Sequence, residues 1–263
     1  MTRVGWALAD GWTITDREVR RWLRDPAPLV LGLLFPVMVV LMFAYLLGGG
    51  IAVPGGGNYR EVLMPGMFAL TMVFGVESTF AAVTSDAARG ITGRFRSLPM
   101  APSAIVVGRS AADMISSALG LIVMIGCGIA VGWRWHGGAG SALLAVGLLL
   151  LLRFAVLWIA IYAALLLRSA TALVAVQVLV WPVGFLSNVF AAPATMPSWL
   201  GAVVEWNPLS ATAAAARQLF ANPGWGGTSW AAQHSPLLAV VWPAVLIAVF
   251  FPLSVRAYRR LNQ

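Results

Sequence analysis

Few side chains in this sequence could do chemistry, and the most telling of them sit where charge is costly. Glu77 and Arg153 each fall inside a long apolar run. An ionisable group there is a functional position by default, because desolvating it is expensive. Both runs are traversed in the same direction, so the two groups lie at similar depth. They are expected to pair, or to line a common polar cavity, either as a structural bridge or as contacts to a transported substrate. Arg109 and Asp113 stand one helical turn apart and read as a local pair, the arginine snorkelling toward the headgroups. His136 and His234 both fall in loops, and two histidines make a weak metal site, so none is assigned. An intramembrane serine protease needs a histidine at membrane depth, and neither of these lies there. The single cysteine, Cys127, lies in an apolar run; it permits no internal disulfide and reads as a small packing residue. All 17 basic residues are arginine. A Walker A loop needs a lysine on the β/γ-phosphates, so any ATP-driven work would rest on another polypeptide.

The elements that must carry these residues are apolar helices. The chain is 60% hydrophobic and 10% charged, where a soluble domain carries about 25% charged residues. Lipid is the solvent that suits so much apolar surface. The net charge of +8 comes from short basic runs between apolar stretches rather than from one patch, which favours membrane topology over nucleic-acid binding. The N-terminal stretch, with Asp10, Asp16 and Glu18, is not expected to be a removable signal peptide. Hydropathy predicts an all-α membrane protein with a single transmembrane domain over residues 1–263. Its six spans fall at about 28–47, 62–84, 104–132, 141–167, 172–192 and 236–255. Pro36 is expected to kink the first span, and Gly120, Gly126 and Gly128 to allow close helix packing. Gln177 and Asn188 could hydrogen-bond between helices.

Arginine placement sets the orientation. With the N-terminus inside, Arg3, Arg17, Arg20, Arg21, Arg24, Arg89, Arg94, Arg96, Arg109, Arg168, Arg256, Arg259 and Arg260 are cytoplasmic, against Arg60, Arg134 and Arg217 outside. Both termini are then expected in the cytoplasm of a multi-pass membrane protein. Two segments are amphipathic rather than spanning. Thr15-Asp16-Arg17-Glu18 has capping-box spacing and opens a short interfacial helix, 12–25, with Trp12, Val19, Trp22 and Leu23 on lipid. Residues 193–235 contain two short apolar helices, the second opened by Asn207 as cap and Pro208 as first residue. They suggest a re-entrant outer hairpin, with a plain extracellular lid as the alternative.

Around the polar stretch 85–103 the sequence becomes recognisable. Asp86-Ala-Ala-Arg89-Gly90-Ile91, then Arg94-Phe95-Arg96-Ser97-Leu98-Pro99-Met100, then Gly108-Arg109 and Asp113, resembles the ABC type-2 permeases, and more narrowly the daunorubicin-resistance type of actinobacterial exporters. Arg24-Asp25-Pro26, Pro36, Pro65-Gly66, and Asn207-Pro208-Leu209 followed by Arg217 fit the same pattern, so the resemblance covers nearly the whole chain. It implies a permease half that dimerises with an identical or homologous permease and docks on separate ATP-binding subunits, which would hold the ATP and magnesium. The 85–103 loop would then be the coupling helix, engaging the ATPase through Asp86, Arg89, Gly90, Arg94, Phe95, Arg96, Leu98 and Pro99. An exposed aromatic flanked by arginines suits such docking physically. Asn207, Pro208 and Arg217 would belong to an outer gate. The expected function is export of an amphiphilic drug, lipid or glycan-type compound, driven by ATP hydrolysed elsewhere. An ion-coupled secondary transporter acting alone would show internal repeats around a midplane site, and no convincing repeat is present. A non-transporting scaffold is a third reading.

Overall fold

The computed structural model describes residues 24, 27–48, 50, 51, 53, 57–88, 102–167 and 169–260. Among these the chain is helical throughout, with α1 (Ala27–Leu41), α2 (Tyr59–Ala88), α3 (Pro102–Val131), α4 (Ala139–Leu167) and α5 (Ala170–Phe185) followed by α6 (Ser198–Trp206), α7 (Pro208–Leu219), α8 (Trp230–Gln233) and α9 (Ser235–Arg260). The helix α1 continues into a π-helical stretch, Met42–Leu47. The interfacial helix expected at 12–25 and most of the 85–103 loop lie outside the described residues.

Among the described residues four helices are long and apolar enough to cross a bilayer: Tyr59–Asp86, Ser110–Val131, Ala139–Leu167 and Ser235–Tyr258. The expected fifth span is present as a shorter apolar helix, Thr171–Phe185, whose fifteen residues at 1.5 Å each cover about 22 Å of an about 30 Å hydrocarbon layer. The expected first span is the continuous helix of α1 and its π-helical extension, residues 27–47. The fifth stops at Phe185 rather than at 192 for local reasons. Pro182 brings no N–H into the last turn, and the Leu186 N–H turns back to the Pro182 carbonyl at 2.7 Å. The Asn207 amide then donates to the carbonyls of Val183 at 3.0 Å and Leu186 at 2.7 Å, satisfying groups that a continuing helix would have used.

The helix α2 is the hub, packing against α1, α3, α4, α5 and α7. Its residues Val62, Leu63, Met64, Met67, Phe68, Ala69 and Leu70 are buried, as an apolar helix interior to a bundle must be. Small residues set the close approaches. A Cβ on Gly128 would meet Met64 Cε at 2.8 Å, and one on Gly184 would meet Leu70 Cδ1 at 2.8 Å. Gly126, expected to do the same, has nothing within 4 Å.

The long connection after α5 folds into the bundle. Asn207 accepts from the Leu209 N–H at 2.8 Å, the expected cap for α7. Alanine-rich α7 is buried along Leu209–Ala213 and Ala215–Arg217, packed on α2, α4 and α9. It is part of the core rather than a cover over it. The α3–α4 connection docks on its end, where the His136 and Gly137 N–H groups donate to the Phe220 carbonyl at 2.9 and 3.2 Å. Trp133 Nε1 donates to Asn222 Oδ1 at 2.9 Å, and Arg60 Nη1 reaches the Val131 carbonyl at 3.1 Å. The turns at this end of the bundle thus form one interlocked layer.

A candidate transport site between helices α1, α2, α3 and α5

Two polar constellations lie within the apolar bundle, on different faces of α2. The first is centred on Arg153 of α4, which is 1% exposed. Its Nε donates to Ser117 Oγ at 2.8 Å and its Nη2 to Thr79 Oγ1 at 2.6 Å. The same Nη2 forms the ion pair with Asp113 Oδ2, and Thr79 Oγ1 donates to Asp113 at 3.1 Å. Gly75 makes this possible, because a Cβ there would lie 2.6 Å from Arg153 Cζ. Gly75 and Thr79 are four apart on α2, and Asp113 and Ser117 are four apart on α3. Each pair is therefore a one-turn polar stripe, and the two stripes meet at the arginine.

Glu77 sits two residues from Gly75, about 200° around the helix. It accepts from Gln177 Nε2 of α5 at 3.2 Å. The expected Glu77–Arg153 ion pair is thus corrected: Arg153 pairs with Asp113, and Glu77 faces α5. Sequence spacing had assigned Asp113 to Arg109 on its own helix, whose side chain lies outside the described residues. Thr79 and Ser117 carried no signal beyond their spacing. Gln177 and Asn188 do bridge helices and connections, Gln177 to Glu77 and Asn188 to Arg217.

Glu77 and Gln177 line a cavity of about 530 Å³ between α1, α2, α3 and α5. Leu33, Phe35, Phe74 and Trp181 form its apolar side, and Thr71, Ser78, Ser116 and Ser117 its polar side. The rings pack on one another, Phe35 against Trp181 at 4.9 Å and Phe74 against Trp181 at 5.3 Å between centroids. Mostly apolar walls with a few convergent polar groups suit a drug-sized amphiphile.

The remaining residues singled out from sequence fall at the two ends. Asp86 lies half-buried in the last turns of α2. Arg89, Gly90, Arg94, Phe95, Arg96, Leu98 and Pro99 fall outside the described residues. At the opposite end Arg217 of α7 is 1% exposed. Its Nε donates to the Val62 carbonyl at 2.7 Å and its Nη1 to Asn188 Oδ1 at 3.1 Å. Its Nη2 donates to the carbonyls of Asn188 at 3.0 Å and Val189 at 3.3 Å. Gly66 gives it room, since a Cβ there would lie 2.9 Å from Arg217 Nη2. The structure thus joins two motifs that are far apart in sequence, Pro65-Gly66 and Asn207-Pro208 with Arg217.

A multi-pass bundle built around a central helix, with an amphipathic cavity beside it, defines a membrane permease. The chain belongs to the ABC-2 type transporter family, which residues 10–221 match. It is 32% identical over 261 residues to the daunorubicin resistance ABC transporter permease protein DrrB1 of Streptomyces coeruleorubidus, covering 97% of this chain and 89% of that protein. It is 24% identical over 252 residues to the probable doxorubicin resistance ABC transporter permease protein DrrC of Mycobacterium tuberculosis, covering 94% and 87%. A third relative, the doxorubicin resistance ABC transporter permease protein DrrB of the same species, is 30% identical over 112 residues, 41% of this chain and 38% of that protein. The chain is therefore the permease subunit of an ABC transporter, whose ATPase is a separate partner. This decides against a secondary transporter working alone.

Proposed function

We propose that this permease exports an amphiphilic compound of the drug, lipid or glycan type across the bacterial plasma membrane, drawing it through the cavity beside Glu77. The observation that carries the proposal is that cavity, whose aromatic wall faces hydroxyl, amide and carboxylate groups across about 530 Å³. The relatives' names, which speak of daunorubicin and doxorubicin resistance, support a drug-like cargo. Arginine distribution supports an orientation with both chain ends and the 85–103 loop in the cytoplasm. There Asp86, Arg89, Gly90, Arg94, Phe95, Arg96, Leu98 and Pro99 form the docking element for the ATP-binding subunit. Two permease halves, identical or homologous, assemble with the ATPases. Closure of the ATPases on ATP pushes the coupling elements, tilts the bundles and alternates access to the cavity. Asn207, Pro208 and Arg217 hold the hairpin that gates release.

The test uses inverted membrane vesicles containing the permease and its ATP-binding subunit, with doxorubicin as the probe. ATP-dependent uptake is expected, and the Phe95→Ala/Arg96→Ala double variant should reduce it about tenfold or more, or release the ATPase on purification. A variant that keeps both full transport and a stable complex would falsify the docking assignment. Uptake driven by a proton gradient without the ATPase would sink the ATP-coupled reading.

A further inference from the structure

Hydrogen-bonding capacity around the cavity leans toward acceptors. Ser78 Oγ donates to the Gly75 carbonyl at 2.9 Å, Thr71 Oγ1 to the Met67 carbonyl at 2.8 Å and Ser117 Oγ to the Asp113 carbonyl at 2.8 Å. Gln177 donates to Glu77 at 3.2 Å. These donors are turned into the protein; Ser116 Oγ, Trp181 Nε1 and the second Gln177 amide hydrogen remain as donors, but lone pairs on the hydroxyl, amide and carboxylate oxygens outnumber them, including one carboxylate oxygen of Glu77.

Charge is one-sided. Among the described residues that line the cavity, Glu77 is the sole ionisable one. The nearby cation, Arg153, is committed to Asp113 on another face of α2. A carboxylate at this depth whose hydrogen-bond partner is a neutral amide has no counter-charge among the described residues that line the cavity. The π-faces of Phe35, Phe74 and Trp181 add a surface that attracts cations and stacks on flat apolar groups.

We infer that Glu77 is the charge-selecting residue of this cavity, and that its ligand is an aromatic or otherwise apolar compound bearing a protonated nitrogen with N–H donors. The inference rests on the reading of this cavity as the cargo path. Such a ligand brings the positive charge that Glu77 lacks and the donors that the hydroxyl and amide oxygens can accept. Its apolar body lies against the rings. A neutral analogue of the same shape keeps the ring contacts and loses the charge pairing.

The experiment uses a matched pair of fluorescent probes, a dansyl group linked to a primary amine and the N-acetyl derivative of that amine. Binding to the purified full-length permease in detergent is followed by fluorescence anisotropy. The wild type should bind the amine at least about tenfold more tightly, equivalent to about 1.4 kcal/mol. Glu77→Gln should bind both probes equally, at the affinity of the acetylated one, while Glu77→Asp should keep the preference. That last result separates loss of charge from loss of fold. Phe74→Ala and Trp181→Ala should weaken both probes alike. Equal binding of the two probes by the wild type, or a preference that survives in Glu77→Gln, overturns charge selection and leaves the cargo path standing. Absence of binding by both probes, or binding indifferent to both aromatic substitutions, overturns the cargo path and the inference together.

Discussion

Arg153 and Arg217 are both buried to 1% exposure, and both lie against a glycine of α2, yet they are neutralised by different means. Arg153 sits among regular helices, where main-chain carbonyls are already used, and its partners are side chains: the Asp113 carboxylate and the hydroxyls of Thr79 and Ser117. Arg217 packs against the stretch 186–191, where the chain has left helical geometry, and its partners among the described residues are the Asn188 amide oxygen and the main-chain carbonyls of Asn188, Val189 and, from helix α2, Val62. A guanidinium buried in a helical bundle is thus satisfied here either by a carboxylate with hydroxyls or by a set of main-chain carbonyls, one helical and two from the non-helical stretch after α5. The first solution ties α2, α3 and α4 together. The second ties α2, α7 and the connection after α5.

The sharpest way to break this comparison is to remove partners and ask whether a second substitution restores stability. Asp113→Leu leaves Arg153 charged and unpaired, and should cost about 3–5 kcal/mol. Adding Arg153→Met should recover most of that loss, because an apolar pair of similar size can replace a buried ion pair. Arg217→Met removes the charge but takes a donor from the Val62 and Val189 carbonyls and from Asn188 Oδ1, at about 1–3 kcal/mol for each one left unsatisfied, whereas the Asn188 carbonyl keeps the Trp225 Nε1 donor at 2.6 Å. No single side-chain change should restore it, since main-chain acceptors cannot be deleted. Thermal unfolding of the detergent-solubilised protein measures each variant. Rescue at Arg217 and none at Arg153 would reverse the distinction drawn here.

The glycines sharpen it at smaller scale. Gly75→Ala and Gly66→Ala should each cost about 1–3 kcal/mol by overpacking. A Cβ at Gly75 meets only the Arg153 guanidinium among its nearest neighbours, at 2.6–2.8 Å, so the Arg153→Met/Asp113→Leu background should tolerate it. A Cβ at Gly66 meets Val189 Cα at 3.1 Å as well as Arg217 Nη2 at 2.9 Å. Trimming Arg217 should therefore rescue Gly66→Ala only in part. Equal rescue at both sites, read from the same unfolding curves, would mean that backbone contact does not limit the second.

How much of this was legible beforehand follows from which forces leave a trace in sequence. Apolar runs located the long helices, because length and hydropathy are local quantities, but not the end of α5, which falls at Phe185 instead of the expected 192. Asn207-Pro208 announced α7 for the same reason, since a cap acts within one turn. The cost of charge in lipid marked Glu77 and Arg153 as special but could not choose partners. Spacing favoured Asp113 with Arg109, one turn away, whereas the fold gave Asp113 to Arg153 from a different helix. That choice depends on the rotation of α2, α3 and α4 about their axes, which hydropathy does not encode. The early end of α5 was not foreseen: Pro182 lies inside the expected 172–192 span, and only Asn207, placed by tertiary structure, supplies the partners that make Phe185 a stable stop.

The smallest effect separates the hairpin layer from the buried arginines it surrounds. Trp133→Phe removes the 2.9 Å bond to Asn222 Oδ1 while keeping an aromatic ring between Phe68 and Phe220, whose centroids each lie 5.2 Å from the Trp133 ring. The loss should be about 0.5–1.5 kcal/mol. Asn222 also donates to the Arg134 carbonyl at 2.8 Å and lines a polar pocket of about 290 Å³ at this end of the bundle. Water entering that pocket can therefore replace the indole donor. The substitution should leave the unfolding midpoint nearly unchanged and instead speed hydrogen exchange at the His136 and Gly137 amides, which bond the Phe220 carbonyl across the same contact. Exchange faster throughout α7 instead would mean that the loop contact carries the hairpin's stability and Arg217 does not.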